Sequence, residues 1–232
     1  MNTKKEQSIQ DIMNSFQEMA DLVLGQLSLI EKLMSGEESQ QQELIYRIKK
    51  NENDIDKYEI IISDKFINTI VLYQPVASDI RKIVAIYRMA LNLERIGDQV
   101  MNISYTIGSL MNTEEYKAMS GLILNMLLSG KMMVEKALLS FVNSDTDYAI
   151  WTIKNDSVID EMNQKMLINS ISRTKMSEKT KEMLFSYVEL KNVINNIERI
   201  ADHATNIAEA TIYALQGTDI RHTGLDKEGK TE

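Results

Sequence analysis

The stretch Leu93-Glu94-Arg95-Ile96-Gly97-Asp98 recurs as Ile197-Glu198-Arg199-Ile200-Ala201-Asp202, 104 residues further along the chain. At the same offset and without a gap, Asn51 pairs with Asn155, Glu52 with Asp156, Ile55 with Ile159, Asp56 with Asp160, Val84 with Val188 and Asn92 with Asn196. Asn102 with Asn206 and Ile103 with Ile207 continue the match on the other side. A period this long marks a duplicated subdomain rather than a short-repeat solenoid. The chain therefore reads as two copies of one unit.

One proline and nine glycines in 232 residues leave too little punctuation for an all-β chain, and the steady supply of Leu, Ile, Met, Glu and Lys predicts an all-α protein. The absence of cysteine excludes a disulfide scaffold, a thiolate nucleophile and thiolate metal ligation. A formal charge of −8 argues against nucleic acid as the partner, because phosphate contacts need clustered Lys and Arg. No apolar run is long enough to span a membrane and the N-terminus Met1-Asn-Thr-Lys-Lys-Glu is polar, so a soluble cytoplasmic protein without membrane insertion is expected.

Apolar residues at three- and four-residue steps, from Ile9, Ile12 and Phe16 to Ile30 and Met34, predict a first helix over 9–34, ended at Ser35-Gly36. A second runs over 39–73 with Ile48, Ile55 and Ile62 on one side. Pro75 pushes Gln74 out of helical geometry and turns the chain. A third helix covers 76–110. Thr113 opens a fourth, ending at Asn143-Ser144; Ser144 or Asp145 caps a fifth, ending near Lys175. Ser177 and Thr180 begin a sixth, which runs to Gln216-Gly217. Long helices with short links pack antiparallel with their neighbours. The expected fold is two tandem three-helix bundles related by a pseudo-twofold, residues 1–111 and 112–217, with a polar tail over 218–232.

Each unit carries two acid pairs four residues apart: Glu52 and Asp56 with Glu94 and Asp98, then Asp156 and Asp160 with Glu198 and Asp202. This spacing puts both acids of a pair on one helix face. Glu52 and Asp98 lie 23 residues either side of Pro75, and Asp56 and Glu94 lie 19 either side, so each couple stands level on an antiparallel hairpin. The same symmetry holds about Lys179 in the second unit. Glu94 and Asp98 extend the row Ile80, Val84, Tyr87, Leu91, which reads as the core-facing stripe of the third helix. In the second unit Lys191 and Asn195 replace Tyr87 and Leu91, which predicts acids nearer the surface.

Four carboxylates on a partly buried seam repel and lose hydration, so a positive partner is expected among them. Arg95 and Arg199 supply part of it, and a cation such as Mg²⁺, Ca²⁺, Mn²⁺ or ferric iron suits all-oxygen ligation. The alternative is ordinary solvated helix charge, or contacts to a partner's arginines. His203 points about 100° away from Asp202 on a helix and reads as a solvated or capping residue. No di-iron Glu-x-x-His pair, Gly-rich phosphate loop or Ser-His-Asp arrangement is evident, so no enzyme is expected.

Gln74-Pro75-Val-Ala-Ser-Asp79-Ile-Arg81, the two Glu-Arg-Ile-x-Asp motifs, and Gly217-Thr-Asp-Ile-Arg221-His222 resemble the PhoU family of phosphate-uptake regulators over nearly the whole chain. The resemblance implies two three-helix bundles, multinuclear iron or zinc clusters at the eight acids named above, and a non-enzymatic role in repressing the phosphate-starvation response. It implies an adaptor between the phosphate ABC transporter ATPase and a membrane sensor histidine kinase, associated with the membrane only through these partners. A homodimer is the expected assembly. The alternative is a metal- or phosphate-binding accessory or storage protein without signalling partners. The Pro and Asp-x-Arg segment is missing from the second unit, where Lys179, Met183 and Phe185 stand. Asp79 and Arg81 are thus either a helix-start salt bridge or a partner contact of the first unit alone. Arg221 and His222 either fold back on the last helix or meet a partner.

Overall fold

Long helices follow one another with almost no chain between them. The computed structural model describes residues 2–36, 40–172 and 180–221, with side chains described over 4–36, 40–162 and 186–221. It contains α1 (Asn2–Met34), α2 (Gln41–Tyr73), α3 (Ala77–Leu110), α4 (Glu114–Val142), α5 (Thr146–Ser172) and α6 (Thr180–Gln216). Among the described residues none of these is long and apolar enough to cross a membrane. Lys175, Ser177 and the Lys179 pivot lie outside the described residues, as does the tail from His222.

The links obey local chemistry. Gln74 adopts a left-handed conformation at φ 43° and its N–H closes the last turn of α2 on Ile70 O, before Pro75. Thr113 caps α4: its Oγ1 accepts from Tyr116 N at 3.3 Å and its hydroxyl donates to Leu110 O at 2.7 Å. Of the two candidate caps for α5, Asp145 serves, its Oδ1 accepting from Asp147 N at 2.9 Å. Helix α1 begins seven residues earlier than periodicity predicts. Its first turns are tied down by polar contacts instead, Lys5 to Asp79 and the Ser8 hydroxyl to Thr69.

Helices α1–α3 form one bundle and α4–α6 the other. The α2–α3 hairpin keeps its register to the far end, where Gln41 Nε2 donates to Gly108 O at 2.9 Å. The two bundles share a single apolar core. Contact between them runs mainly along α3 and α6, with α1 against α4 beside it. Phe16 meets Phe141 edge to face at 5.6 Å, and Lys131 pairs with Glu31 at 2.7 Å.

This second neighbour corrects the expected stripe on α3. The row Ile80, Val84, Tyr87, Leu91 is only partly buried, and the core face is Ile83, Ile86, Met89, Ala90, Leu93, Ile96 and Val100. Because α3 packs on α1, α2 and α6, its buried surface is wider than one stripe and turned away from the acids. The row with Tyr87 flanks α2, where Tyr87 stacks on Phe66 at 4.7 Å. Replacing Thr113 by Ala should lower unfolding free energy by about 1 kcal/mol in urea denaturation, since the α4 N-terminus loses its side-chain acceptor.

Candidate carboxylate site

Burial grades the four acids of the first cluster. Glu52 is buried at 8% exposure, Glu94 is half-buried, and Asp56 and Asp98 face solvent. Glu52 reaches inward because Gly97 leaves room: a Cβ at that position would stand 2.7 Å from Glu52 Oε2. The same oxygen accepts from Gln26 Nε2 at 2.7 Å, while Glu52 Oε1 and Gln26 Oε1 are buried without a hydrogen-bond partner among the described residues. One buried carboxylate thus keeps a free oxygen, which is costly unless a proton or cation takes it.

Burial is the main reason that Glu52 is pushed up to about 7, against the Gln26 hydrogen bond; Asp98, then Asp56 and Glu94, push it further. Asp98 acts on it more strongly than Glu94 does. Burial also raises Glu94, followed by Asp98, Glu59 and Asp56, while Arg95 opposes as the weakest influence. Arg95 and Arg199 are exposed and offset the acids only slightly.

The second cluster repeats this grading with smaller parts. Of the acids expected nearer the surface only Asp156 is so, half-buried where Glu52 is buried, while the other three match their counterparts. Burial, then Asp202 and Asp160, raise Asp156 to about 6, with Thr205 opposing and Glu198 adding least. Asp202 is raised by burial, then by Glu198 and Asp160. The repeats exchange one carbon across the seam. Where the first has the longer Glu52 facing Gly97, the second has the shorter Asp156 with Ala201. The Gln26 position becomes Gly130, so no amide from the bundle's first helix serves Asp156.

The donor set fits a hard or trivalent cation: oxygen only, mutually repelling, with one buried oxygen unpartnered. As the side chains stand, no group of three or more among the described residues is drawn together around a point where an ion would sit.

The remaining candidates have local surroundings of their own. Asp79 pairs with Lys5 of α1 at 2.7 Å, a helix-start salt bridge. Arg81 lies under the end of α6, its Nε 3.4 Å from where a Gly217 Cβ would be, and that Nε is buried without a partner among the described residues. Arg221 pairs within its own segment, its Nε donating to Asp219 Oδ1 at 2.8 Å. His222 lies outside the described residues. His203 is neither solvated nor a cap. It is half-buried on the α3–α6 seam, where its Nδ1 donates to Asn92 Oδ1 at 3.1 Å. Burial, with Arg95 and Arg199 beside it, lowers it to about 4, so it is neutral at pH 7.

Sequence reasoning passes over Gln26, Gly97 and Glu59. A polar Gln26 beside Val23, Leu27 and Ile30 is the available signal for the first. Glu59 lies seven residues after Glu52, and since Asn163 stands at the matching position the repeat does not mark it.

The family model described as "PhoU domain" matches residues 16–107 and 123–211. A "Phosphate-specific transport system accessory protein PhoU homolog" of Burkholderia sp is 36% identical over 180 residues, covering 76% of this chain and 74% of its own. The homolog of Aquifex aeolicus is 30% identical over 204 residues, covering 87% and 89%. Among solved structures, PhoU from Pseudomonas aeruginosa superposes with a TM-score of 0.83 at 24% identity, covering 92% of this chain and 99% of that one. The phosphate transport system regulatory protein PhoU from Streptococcus pneumoniae gives 0.73 at 23% identity, covering 93% and 98%. These two likenesses bear on the fold alone.

Two outcomes follow from the seam. Gly97→Ala and Glu52→Asp should couple favourably by roughly 1 kcal/mol or more in a double-mutant cycle, because the methyl meets the Glu52 carboxylate and not a side chain one carbon shorter. The second follows from protons. Glu52 takes its proton at about 7 when folded against an ordinary 4.5, so the folded state binds more protons in between and stability falls as pH rises through that window. In metal-free protein at pH 8, Glu52→Gln should gain roughly 1–3 kcal/mol in urea denaturation, and at pH 4 the gain should vanish.

Proposed function

The chain belongs to the PhoU family, and on that premise we propose that it is a non-enzymatic accessory protein of phosphate-specific transport that regulates phosphate uptake and the phosphate-starvation response. The observation that carries this reading is the PhoU domain matched twice along the chain, with relatives of 30–36% identity named as accessory proteins of that transport system. In this reading the protein works in the cytoplasm as a homodimer, joining the transporter ATPase to a sensor histidine kinase.

Cation binding at the two clusters belongs to the same proposal. Glu52, Asp56, Glu94 and Asp98 hold one site and Asp156, Asp160, Glu198 and Asp202 the other, for iron or zinc, with Mg²⁺ and Mn²⁺ as the alternatives. A bound ion supplies the positive charge that the exposed Arg95 and Arg199 do not. Support comes from the unpartnered Glu52 Oε1 and from the raised acids of both clusters. Since Glu52 must give up its proton to ligate, affinity should rise with pH through about 7.

The test has two arms. Metal-stripped protein titrated with Mn²⁺, Fe³⁺, Zn²⁺ and Mg²⁺ at about pH 7.5, above the range in which Glu52 takes its proton, should melt higher with at least one ion by mass action. Glu94→Gln with Asp98→Asn should remove the gain from the first bundle while the helices stay formed. Pull-down with the transporter ATPase and the kinase sensor domain should retain both. Metal binding without either partner would leave a metal-binding accessory or storage protein, and partner binding without metal would assign the acids to docking.

A further inference from the structure

The duplication produces two matching grooves along the α3–α6 seam, and they differ sharply in charge. One is lined by Arg88, Asn92, Arg95 and Asn206, with Asp219 and Arg221 from the segment after α6, around a cavity of about 230 Å³. In its twin, Asn192, Asn196 and Arg199 stand where the first has Arg88, Asn92 and Arg95, and Asn102 replaces Asn206. The first groove therefore gathers three guanidiniums and the second one, in a chain whose formal charge is −8. Glu209, which stands in the first groove where the twin has Tyr105, offsets part of that positive charge.

The basic groove already holds a carboxylate. Asp219 accepts from Arg221 through both oxygens, Nε to Oδ1 at 2.8 Å and Nη2 to Oδ2 at 2.5 Å, and Arg88 Nη1 lies 3.6 Å from Oδ2. Arg88 is itself set in place over the Tyr213 ring, 5.1 Å from its centroid. The segment carrying Asp219 is fixed on both sides: Gly217, at φ 78°, donates from its N–H to Tyr213 O, and Ile220 is buried at 2% exposure. Asp219 itself is 38% exposed, so the carboxylate sits at the mouth of the groove. Its two partners are Arg88 and Arg221, which leaves Arg95 outside that pair.

We propose that this groove is an anion site for a phosphate group, free or carried as a monoester, which enters in exchange for the Asp219 carboxylate. A carboxylate has one charge and two oxygens in a plane. A phosphate group has up to two charges and oxygens in tetrahedral array, so it can engage Arg88, Arg95 and Arg221 together where Asp219 engages two. The cavity is smaller than most organic-ligand pockets, which suits a single phosphate group and leaves the rest of any monoester in solvent. Binding releases the Asp219 side chain from Arg88 of α3, while Gly217 and buried Ile220 keep the segment in place. The site is separate from the carboxylate clusters and does not rest on the proposed function.

The test is calorimetric titration of the full chain with inorganic phosphate and with glycerol 3-phosphate, in a chelating buffer so that no metal bridges the ligand. Saturable binding of one phosphate group per chain is expected, weakening as salt rises. Arg95→Gln should weaken it about tenfold or more, since a charge-assisted contact is lost. Asp219→Asn should tighten it several-fold by removing the competing charge. Arg199→Gln, in the twin groove, should leave it unchanged. Arg95 is exposed, and an unchanged melting curve for Arg95→Gln separates lost binding from lost fold. Binding of both ligands points to phosphate carried on a larger molecule, and binding of inorganic phosphate alone to the free ion. The proposal is overturned if neither ligand saturates the parent or Asp219→Asn below about 10 mM, or if Arg199→Gln weakens binding as much as Arg95→Gln.

Discussion

Helices α3 and α6 lie antiparallel against each other, and the rest of the molecule is arranged by that contact. Each completes a three-helix bundle on one side and packs on its own duplicate on the other. Two neighbours on different sides commit most of the circumference of α3 to apolar packing, from Ile83 and Met89 through Ile96 to Ile107. What remains for polar groups is a pair of flanks. One faces the α2 hairpin and carries Glu94 and Asp98; the other borders α6 and carries Arg88, Asn92 and Arg95. Acids and bases of one helix are thereby sorted into different grooves by the geometry of burial rather than by their order in the chain.

Concentrating carboxylates on the hairpin flank costs stability in the absence of a counter-charge. Glu52 is the extreme case, since it is desolvated, close to three other acids and only half satisfied by Gln26. Such an arrangement persists when something gained offsets it. Here the surrounding apolar core is continuous through both bundles, and a fold with that much burial tolerates one strained seam in each repeat.

Much of this is legible from the chain. Ser35-Gly36, Pro75, Thr113 and Asp145 mark the helix ends, because each acts through local backbone chemistry. Equidistance from Pro75 places Glu52 level with Asp98, because helical rise is constant. The core face of α3 is misread, since periodicity records that a face is apolar but not how many neighbours it meets; the presence of α6 widens and rotates it. His203 is misread for the same reason, its partner Asn92 lying in the other bundle. Gln26 and Gly97 escape notice because their role depends on the length of Glu52, a property of the packed seam. The basic groove joins residues of α3 to a segment after α6, more than a hundred positions away, and no local pattern announces it.

The carbon exchanged across the seam, Glu52 with Gly97 in one half and Asp156 with Ala201 in the other, bears on how the two halves of the gene can evolve. Each half is fitted to its own partner residue, and the partners lie on different helices. A gene-conversion tract that copied the second motif over the first, without also copying the codon for position 52, would put a methyl group at position 97 against Glu52. The reverse tract would leave a gap beside Asp156. Short exchanges between the halves would thus mismatch this seam, whereas one that carried positions 52 and 97 together would keep it matched.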